Sequence, residues 1–359
     1  MDETPSRAGF SLPPEWAPHS CCWMAWPCRE HSFSDVEAAR DDFATVARTI
    51  ARHEPVRMIA NPGHVKDARR RCCAHPGGAP ADVEIVSMPT NDSWVRDTAP
   101  TFLVGPGGEL GAVEWRFTGW GGFRRDYTET AKMAGRVSAL TGARRFTAPI
   151  AFEGGAFSCD GQGTLLTTAE VVLDEDRNPG LSREDAEAVF KEYLGAERVV
   201  WLRAALEEDP TGGHVDGLAA FVAPGVVVAL SCDDPADPQY KPLRENLRRL
   251  RAAVTASGRP LEVVPVAHPP RRLDEEDGYR LTWTYVNFYV ADGAVVVPGF
   301  GDPYDEPARE TFARLFPGRE VVQLHLPEVA RLAGDIHCMT QQQPAVPGAA
   351  AAEPRAGTV

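Results

Sequence analysis

The sequence contains no run of about 18 consecutive apolar residues, which is roughly the length that a membrane-spanning helix needs. Its first residues, MDETPSRAGF, include no basic segment followed by an apolar stretch, so we expect no secretion signal. Positive charge is also scarce, because 37 Lys and Arg residues stand against 51 Asp and Glu residues and give a net charge of −14. These features predict a cytoplasmic protein that binds neither nucleic acid nor a membrane, and they are compatible with a cationic ligand.

Metal and nucleotide motifs are missing as well. The sequence has no Cys-x2-Cys pair and no His-Glu-x-x-His segment, which are spacings typical of zinc sites. Walker and Gly-x-Gly-x-x-Gly phosphate loops are also absent. Eight cysteines in 359 residues are too dilute for a disulfide scaffold. We therefore expect no metal, no cofactor and a set of free thiols.

Helices are predicted in four places. Apolar residues at steps of three and four predict a helix over 35–52. Another helix is predicted over 182–194, because a capping box lies at its start and Gly195 follows its end. Further helices are expected after Pro242 and from Pro307.

The chain is long and apolar enough for a large core, since 43% of its residues are hydrophobic. Residues 9–345 are expected to form a single domain. Disordered tails are expected over 1–8 and over 346–359, where small residues predominate.

Between the helices a β pattern recurs, in which a polar motif is followed by an apolar strand, a glycine turn and a second apolar strand. The units are WVRDTAPTFLVGPGGELGAVEW from Trp94, EGGAFSCDGQGTLLTT from Glu153, HVDGLAAFVAPGVVVALS from His214 and YVNFYVADGAVVVPGF from Tyr285. DIHCMTQQQP, at 335–344, is expected to open one more unit as a strand, and WMAWP near Trp23 to belong to the other half of the ring. Units that begin roughly every 60–70 residues predict a propeller-like α/β arrangement of ββα modules about an axis.

Equivalent strand starts in such a ring converge on one central cavity. Five side chains that are far apart in sequence are expected to meet there: Asp97, Glu153, His214, Asp216 and Cys338. Three carboxylates are costly to bring together without a positive ligand, and a planar guanidinium with several N–H donors complements them well. A cysteine thiolate would then face the central carbon, and the histidine could donate a proton to the departing nitrogen.

Simpler interpretations exist for the same residues. Cys338 taken alone could be a buried packing residue, half of a disulfide or a metal ligand. Period-two alternation would put His214 and Asp216 on one strand face, as a joint site requires. The same alternation would point His337 away from Cys338, so His337 is expected to be structural.

The sequence resembles the agmatine deiminase branch of the bacterial-type peptidylarginine deiminases, a guanidino-modifying family. The motifs that carry the resemblance run in family order from residue 9 to 345: Gly9-Phe-x-Leu-Pro-x-Glu-Trp16, Trp23-Met-Ala-Trp-Pro27, Asn91-Asp-Ser-Trp-x-Arg-Asp-Thr-x-Pro100, Glu153-Gly-Gly155, Gly163-Thr-Leu-Leu-Thr-Thr168, Arg177-Asn-Pro179, Gly213-His-Val-Asp216, Tyr240 with Glu245-Asn-Leu247, Val286-Asn-Phe-Tyr289, Pro298-x-Phe-Gly-Asp302 and Ile336-His-Cys-x-Thr-Gln-Gln342.

The resemblance implies the five-bladed α/β (pentein) propeller, built of ββαβ-type modules around a central active-site cavity. It also implies hydrolysis of agmatine to N-carbamoylputrescine and ammonia through a covalent thiouronium, without metal or cofactor, in a homodimer or larger homo-oligomer. By this resemblance Asp97 and Asp216 would hold the guanidinium, Glu153 would tune His214, and Cys338 would be the nucleophile.

The resemblance extends to four more candidate substrate-binding positions. Trp94 would line the pocket, and Asp92 is a candidate just behind it, although it could instead be a turn aspartate. Gly212 stands where the family pattern has Asp, and Asp335 stands where it has Asn. These two changes redistribute negative charge near the cavity, so the guanidino head is better predicted than the tail of the substrate.

Other functions stay open at this point. The substrate could be another guanidino compound, such as an arginine derivative. An amidinotransferase would form the same thiouronium and pass the amidino group to an amine instead of water. From a different class, the chain could be a non-catalytic propeller that binds guanidinium, although the presence of both a histidine and a cysteine argues against it.

Overall fold

The computed structural model describes residues 3–29, 32–73, 82–275, 278–332 and 334–346. Within these residues the strands are β1 (His19–Ala25), β2 (Val56–Ala60), β3 (Val83–Ser87), β4 (Thr101–Val104), β5 (Leu110–Arg116), β6 (Arg144–Ala151), β7 (Phe157–Cys159), β8 (Thr164–Thr168), β9 (Arg198–Leu202), β10 (Ala219–Ala223), β11 (Val226–Ser231), β12 (Glu262–Ala267), β13 (Tyr289–Val290), β14 (Ala294–Gly299), β15 (Glu320–His325) and β16 (Gln341–Pro344). The helices are α1 (Val36–Ile50), α2 (Val65–Cys73), α3 (Val95–Thr98), α4 (Gly119–Gly122), α5 (Met133–Thr141), α6 (Ala169–Val172), α7 (Arg183–Leu194), α8 (Tyr240–Ala252) and α9 (Asp305–Leu315).

Four three-stranded sheets repeat one pattern. Their strand orders are β4-β5-β6, β7-β8-β9, β10-β11-β12 and β13-β14-β15. In each sheet the first two strands are antiparallel and the last two are parallel. A short turn can join the antiparallel pair, whereas the parallel pair needs a helical crossover. Each sheet is therefore a ββαβ module.

The fifth sheet is built from both ends of the described chain, in the order β16-β1-β2-β3. Strand β16 pairs antiparallel with β1, with Trp23 opposite Gln341. Strands β1, β2 and β3 are parallel to one another, and α1 and α2 provide the crossovers. This sheet confirms that the segment around Trp23 completes the ring.

The apolar core consists of five clusters, and each cluster is shared by two neighbouring sheets. In β8, Leu165 packs toward the β4–β6 sheet and Leu166 toward the β10–β12 sheet. In β1, Cys22 packs toward the β13–β15 sheet and Cys21 toward the β4–β6 sheet. Because both faces of these strands are buried, the strands are near-continuous apolar runs. The predicted five-bladed α/β propeller is confirmed.

The predicted helices are confirmed with small shifts at their ends. The Ser182 hydroxyl accepts from the Asp185 backbone N–H, and Gly195 ends α7 at φ +70°. Helix α8 begins two residues before Pro242, and α9 begins two residues before Pro307. A proline in the first turn is tolerated because its missing N–H would have no intrahelical partner there.

Two predictions about the site segments are wrong in detail. Residues 336–339 form a turn, and the strand that follows begins only at Gln341. The segment Val215–Gly217 is a 3-10 turn instead of part of a strand. Alternation therefore does not decide which way His337 and Cys338 point.

The terminal predictions have different outcomes. Thr4 and Ser6 hydrogen bond to the end of α7, so these residues do not form the disordered tail that was expected over 1–8. Residues 1–2 and 347–359 lie outside the described residues, and the bounds 9–345 for a single domain stay a prediction. In the described ranges, none of the helices has the length and apolar character that crossing a bilayer requires.

The ring places the polar motifs at equivalent positions. One site residue precedes the first strand of each module by two to four residues: Asp97 before β4, Glu153 before β7, Asp216 before β10, Asn287 before β13 and Cys338 before β16. These positions bring the five residues to the centre of the ring, as the sequence predicted for four of them.

Candidate active site

A cavity of about 580 Å³ opens onto the predicted nucleophile. Its walls combine rings with acidic and basic side chains, and they include Trp94, Asp97, Trp120, Phe123, Arg124, Glu208, Asp209, Tyr279, Arg331, Leu332 and Cys338. A smaller hollow adjoins the cavity behind the sulfur and reaches His214, Asp216 and Asn287. The cavity is large enough for a small elongated ligand whose head lies at the sulfur.

Cys338 lies in the 336–339 turn and is held by Asn287. The Asn287 Nδ2–H donates to Cys338 Sγ (3.2 Å), and Asn287 Oδ1 accepts from the Cys338 backbone N–H (3.2 Å). The sulfur lies 3.5 Å from Asp216 Oδ2. Burial raises the pKa of the Cys338 thiol well above its usual range, and the negative charges of Asp216 and Asp97 raise it further. The Cys338 side chain is therefore a thiol in these surroundings.

Asp97 is anchored through both carboxylate oxygens. Its Oδ1 accepts from the Gly155 backbone N–H (2.9 Å), and its Oδ2 accepts from Trp120 Nε1–H (2.9 Å). Burial raises the pKa of Asp97, and so do the charges of Asp216 and Glu153, while His214 acts in the opposite direction.

Gly155 lies at the point where three predicted site residues meet. A Cβ atom on Gly155 would lie 2.6 Å from His214 Nδ1, 2.8 Å from Asp216 Oδ2 and 3.0 Å from Asp97 Oδ1. Only a residue without a side chain leaves these three polar atoms room at one point. The short turn at Gly154–Ala156 thus forms the floor of the site.

Glu153 and His214 form a buried pair, with His214 Nε2 at 3.3 Å from Glu153 Oε2. Arg177 Nε–H donates to Glu153 Oε1 (3.0 Å). Burial raises the pKa of Glu153, but His214 and Arg177 outweigh burial and lower that pKa overall. Glu153 is therefore ionised beside the histidine.

The His214 ring is charged in the ligand-free site. Burial lowers the pKa of His214, but the carboxylates of Asp97, Glu153 and Asp216 outweigh burial and raise it to about 9. Its Nδ1 is buried without a hydrogen-bond partner in the described part of the chain, and Asp97 Oδ1 lies 3.7 Å away. A proton-bearing nitrogen with no partner is thus directed at the place where the carboxylates converge.

The structure brings most of the predicted positions to the cavity or the adjoining hollow, whereas Glu153, Asp92 and Gly212 line neither. Trp94 lines the cavity and packs closely over Gly334, where a Cβ would lie 2.8 Å from the ring. Asp335 borders the smaller hollow beside Cys338. Burial raises the pKa of Asp335 well above its usual range, and the nearby charge of Asp42 raises it further.

Asp92 and Gly212 are the predicted substrate-binding positions that do not line the cavity among the described residues. The Asp92 carboxylate turns back to accept from the Ser93 backbone N–H (2.9 Å), which satisfies it locally. Gly212, at φ +82°, lies beside Arg177. A Cβ atom on Gly212 would lie 3.4 Å from Nη1 of the Arg177 guanidinium. A role of these two residues in binding the substrate stays a prediction.

Three residues with contacts in the site had no role in the sequence prediction. Asn287, Arg177 and Trp120 contact Cys338, Glu153 and Asp97 respectively. Asn287 and Arg177 lie in motifs that the sequence singled out, so their position in those motifs was the available signal. No sequence pattern separates Trp120 from a core tryptophan, but its place in the cavity wall and its indole N–H bond to Asp97 put it in the pocket.

Away from the cavity, His19, Glu54 and Asp292 have potential metal-ligand atoms within 4.8 Å of one another. Hydrogen bonds already occupy these groups, because Glu54 accepts from Tyr289 Oη–H and from the Asp292 backbone N–H. His19 Nε2 lies 2.9 Å from the Glu15 carbonyl oxygen. The expectation that the protein uses no metal stays a prediction.

A five-bladed ββαβ ring with a cysteine, a histidine and several carboxylates at its centre defines the pentein class of guanidino-modifying proteins, as the resemblance implied. The family of Porphyromonas-type peptidyl-arginine deiminases matches residues 11–344, and the chain belongs to this family. A relative in Legionella pneumophila is 42% identical over 347 residues, which cover 96% of this chain and 97% of the relative.

Two further comparisons concern proteins named for an activity. The agmatine deiminase of Ectopseudomonas mendocina is 38% identical over 371 residues, covering 97% of this chain and 99% of the relative. A solved structure of the agmatine deiminase of Enterococcus faecalis matches with a TM-score of 0.89 and 31% identity, over 96% of this chain and 98% of that chain.

Proposed function

We propose that the protein is a cysteine-dependent hydrolase of a small guanidino compound, and that agmatine is hydrolysed to N-carbamoylputrescine and ammonia. The observation that carries the proposal is the convergence of Asp97, Asp216 and His214 at Gly155, with Cys338 Sγ at 3.5 Å from Asp216. The likeness to the agmatine deiminases of Ectopseudomonas mendocina and Enterococcus faecalis supports the choice of agmatine.

The carboxylates select the charge and the plane of the substrate. Asp97 and Asp216 accept hydrogen bonds from the guanidinium nitrogens, which fixes the plane of the group and presents its central carbon to Cys338. The Trp94 and Trp120 rings line the cavity through which the apolar part of the tail passes. A cationic head therefore binds where the empty site has excess negative charge.

Binding also prepares the nucleophile. The pKa of the Cys338 thiol is high because the empty site is buried and negative. A bound guanidinium neutralises the nearby carboxylates and lowers the pKa of that thiol, so its proton leaves to solvent. The Asn287 amide N–H then stabilises the thiolate, because hydrogen bonds to a charged group are stronger than those to a neutral one.

The first half of the reaction forms a covalent intermediate. The thiolate attacks the central carbon, a C–S bond forms, and one C=N electron pair moves onto nitrogen. The His214 imidazolium gives its proton to the departing nitrogen, the C–N bond breaks, and ammonia leaves. An S-alkyl thiouronium remains on Cys338.

Water completes the cycle. The now neutral His214 removes a proton from water, and the oxygen attacks the thiouronium carbon. The C–S bond breaks, the thiolate returns, and the ureido product loses its extra proton to solvent. Overall, a guanidinium ion and water give a ureido compound and an ammonium ion.

We also propose that the protein works in the cytoplasm as a homodimer or larger homo-oligomer. The location is supported by eight cysteines that are all free in the structure, as expected in a reducing compartment.

The test measures ammonia and ureido product from agmatine, arginine and other guanidino compounds, with Cys338→Ala run in parallel. The parent is expected to convert agmatine and the variant to be inactive, while still binding the cation. An equally active variant would refute the mechanism. Amidino transfer that needs an added amine would identify an amidinotransferase, and binding without turnover by the parent would identify a binding protein.

A further inference from the structure

The histidine next to the nucleophile lies between one buried carboxylate, Asp216, and one partly buried carboxylate, Glu15. His337 Nδ1 lies 2.9 Å from Asp216 Oδ2, and His337 Nε2 lies 3.0 Å from Glu15 Oε1. The side chains of His337 and Asp216 are each 6% exposed, and that of Glu15 is 21% exposed. Glu15 belongs to the N-terminal motif that ends at Trp16, for which the reaction above has no use.

The contacts and the pKa directions of the row formed by Glu15, His337 and Asp216 together set its charges. The pKa values of Asp216 and Glu15 are both lowered, so both carboxylates are ionised. An ionised carboxylate can only accept hydrogen bonds, so both ring nitrogens of His337 carry a proton. The ring is therefore an imidazolium between two anions. When a guanidinium binds, Asp216 lies between two cations, His337 and the substrate. Negative and positive groups then alternate along the whole row.

We propose that Glu15 and His337 are positioning residues for Asp216. Glu15 holds His337 in its charged form, and the His337 Nδ1–H bond fixes the Asp216 oxygen that also lies next to Cys338 Sγ. The inference rests on the proposed function, because it assigns Asp216 to the guanidinium.

Other charged groups that face the row agree with this arrangement. Arg96 Nη1 lies 3.6 Å from Glu15 Oε1, and Arg96 Nε–H donates to the His337 carbonyl oxygen (3.3 Å). Asp216 also faces His214, Cys338 and the charge of Arg96. The row is thus flanked by cations at both ends.

The pKa directions follow from these contacts. Burial raises the pKa of Asp216, but the hydrogen bond and charge of His337 outweigh burial and lower it overall. Burial and Arg96 lower the pKa of His337, but Glu15 and Asp216 outweigh them and raise it. Burial raises the pKa of Glu15, but His337 and Arg96 outweigh it and lower it to about 2.

The first arm of the test observes the ring directly, by nitrogen NMR of histidine-labelled protein, with His337→Gln to assign the signal. In the parent, His337 is expected to lose its charge with a midpoint above pH 6.5, the ordinary value for histidine. In Glu15→Gln the ring is expected to lose its charge at a pH lower by about one unit or more. A midpoint at or below pH 6.5 in the parent, or an unchanged titration in Glu15→Gln, would overturn the proposal.

The second arm measures kinetics on the guanidino substrate. Glu15→Gln and His337→Gln are expected to raise KM about tenfold or more, with kcat changed less than about threefold, because Asp216 holds the guanidinium before and during the reaction. The matched control is Glu54→Gln, another buried carboxylate beside a histidine, whose hydrogen bonds are to His19, Tyr289 and Asp292. KM is expected to stay within about twofold in this control.

The outcomes separate the two proposals. A parent with no ureido product refutes the proposed function, and the NMR arm still decides the state of His337. An active parent whose Glu15→Gln variant matches Glu54→Gln in KM overturns the positioning role.

Discussion

At the scale of single residues, the site is governed by the balance between burial and charge. Asp97, Glu153 and Asp216 are all buried, and burial alone would favour their neutral forms. The positive charge of His214 opposes this, and in return the carboxylates hold the proton on the histidine. The site therefore holds a charged histidine beside a neutral thiol, and the substrate has to lower the pKa of that thiol.

This balance makes a prediction about stability and pH. The pKa of His214 is about 9 in the folded protein and about 6.5 in an unfolded chain. Its contribution to stability is therefore complete below about pH 6.5 and is lost as the pH rises through about 9. The difference in free energy of unfolding between the parent and His214→Gln should shrink by on the order of 2–3 kcal/mol across this range, as measured by urea unfolding.

His268→Gln is the matched control for that measurement. His268 is also buried, but burial and the charge of Arg280 lower its pKa to about 4, so its ring is neutral throughout the range. Its difference from the parent should change by less than about 0.5 kcal/mol between pH 6.5 and pH 9, and in the opposite direction, because only the unfolded chain still binds part of a proton at the lower pH. Parallel curves for His214→Gln and His268→Gln would contradict a charged His214.

At the scale of elements, the site residue of each module lies in the short segment before the first strand of that module. These segments are a four-residue helix at Asp97, 3-10 turns after Glu153 and at Asp216, and a turn at Cys338. The sequence predicted where these segments lie, because glycines and polar residues interrupt the apolar runs. It did not predict that they are turns, since short polar segments have no periodicity that separates a turn from a strand end.

The Gly155 turn offers the clearest test at this scale. Gly155→Ala places a methyl group within 3.0 Å of His214 Nδ1, Asp216 Oδ2 and Asp97 Oδ1, which must move apart. Because displacements of about 1 Å at a reacting centre cost about a hundredfold in rate, kcat/KM should fall by about that factor or more. Gly63→Ala, at a glycine with no atom within 4 Å of the added carbon, should keep kcat/KM within about twofold. Steady-state kinetics decides, and equal activity of both variants would contradict the crowding at Gly155.

At the scale of the whole molecule, the ring explains what could be predicted and what could not. The repeat of polar motif, strand, turn and strand predicted the modules, and their convergence predicted that Asp97, Glu153, His214, Asp216 and Cys338 meet. The contacts of Asn287, Arg177 and His337 depend on the orientation of side chains across different modules, which no local pattern encodes. Asp92 lies outside the cavity wall, and its carboxylate accepts from a backbone N–H one residue away, a local turn contact that the sequence pattern does not separate from a pocket position.

Closure of the ring depends on the pairing of β16 with β1. Removal of residues 341–359 should therefore prevent folding even though Cys338 is retained, because the outer edge of β1 and the clusters beside it lose their cover. Removal of 347–359, which deletes none of the described residues, is the control and should keep both fold and activity. Circular dichroism, size-exclusion chromatography and ammonia release measure these outcomes, and an active protein without 341–359 would contradict the role of the closing strand.

The position of Cys338 immediately before this closing strand has a consequence for synthesis. On the ribosome, the acids and the histidine emerge first, and the sulfur follows only after the last strand of the fourth repeated module. A chain interrupted before that point lacks both the atom that attacks the guanidinium and the strand that closes the ring. Translation itself thus keeps the nascent protein inert until almost the whole ring has been made.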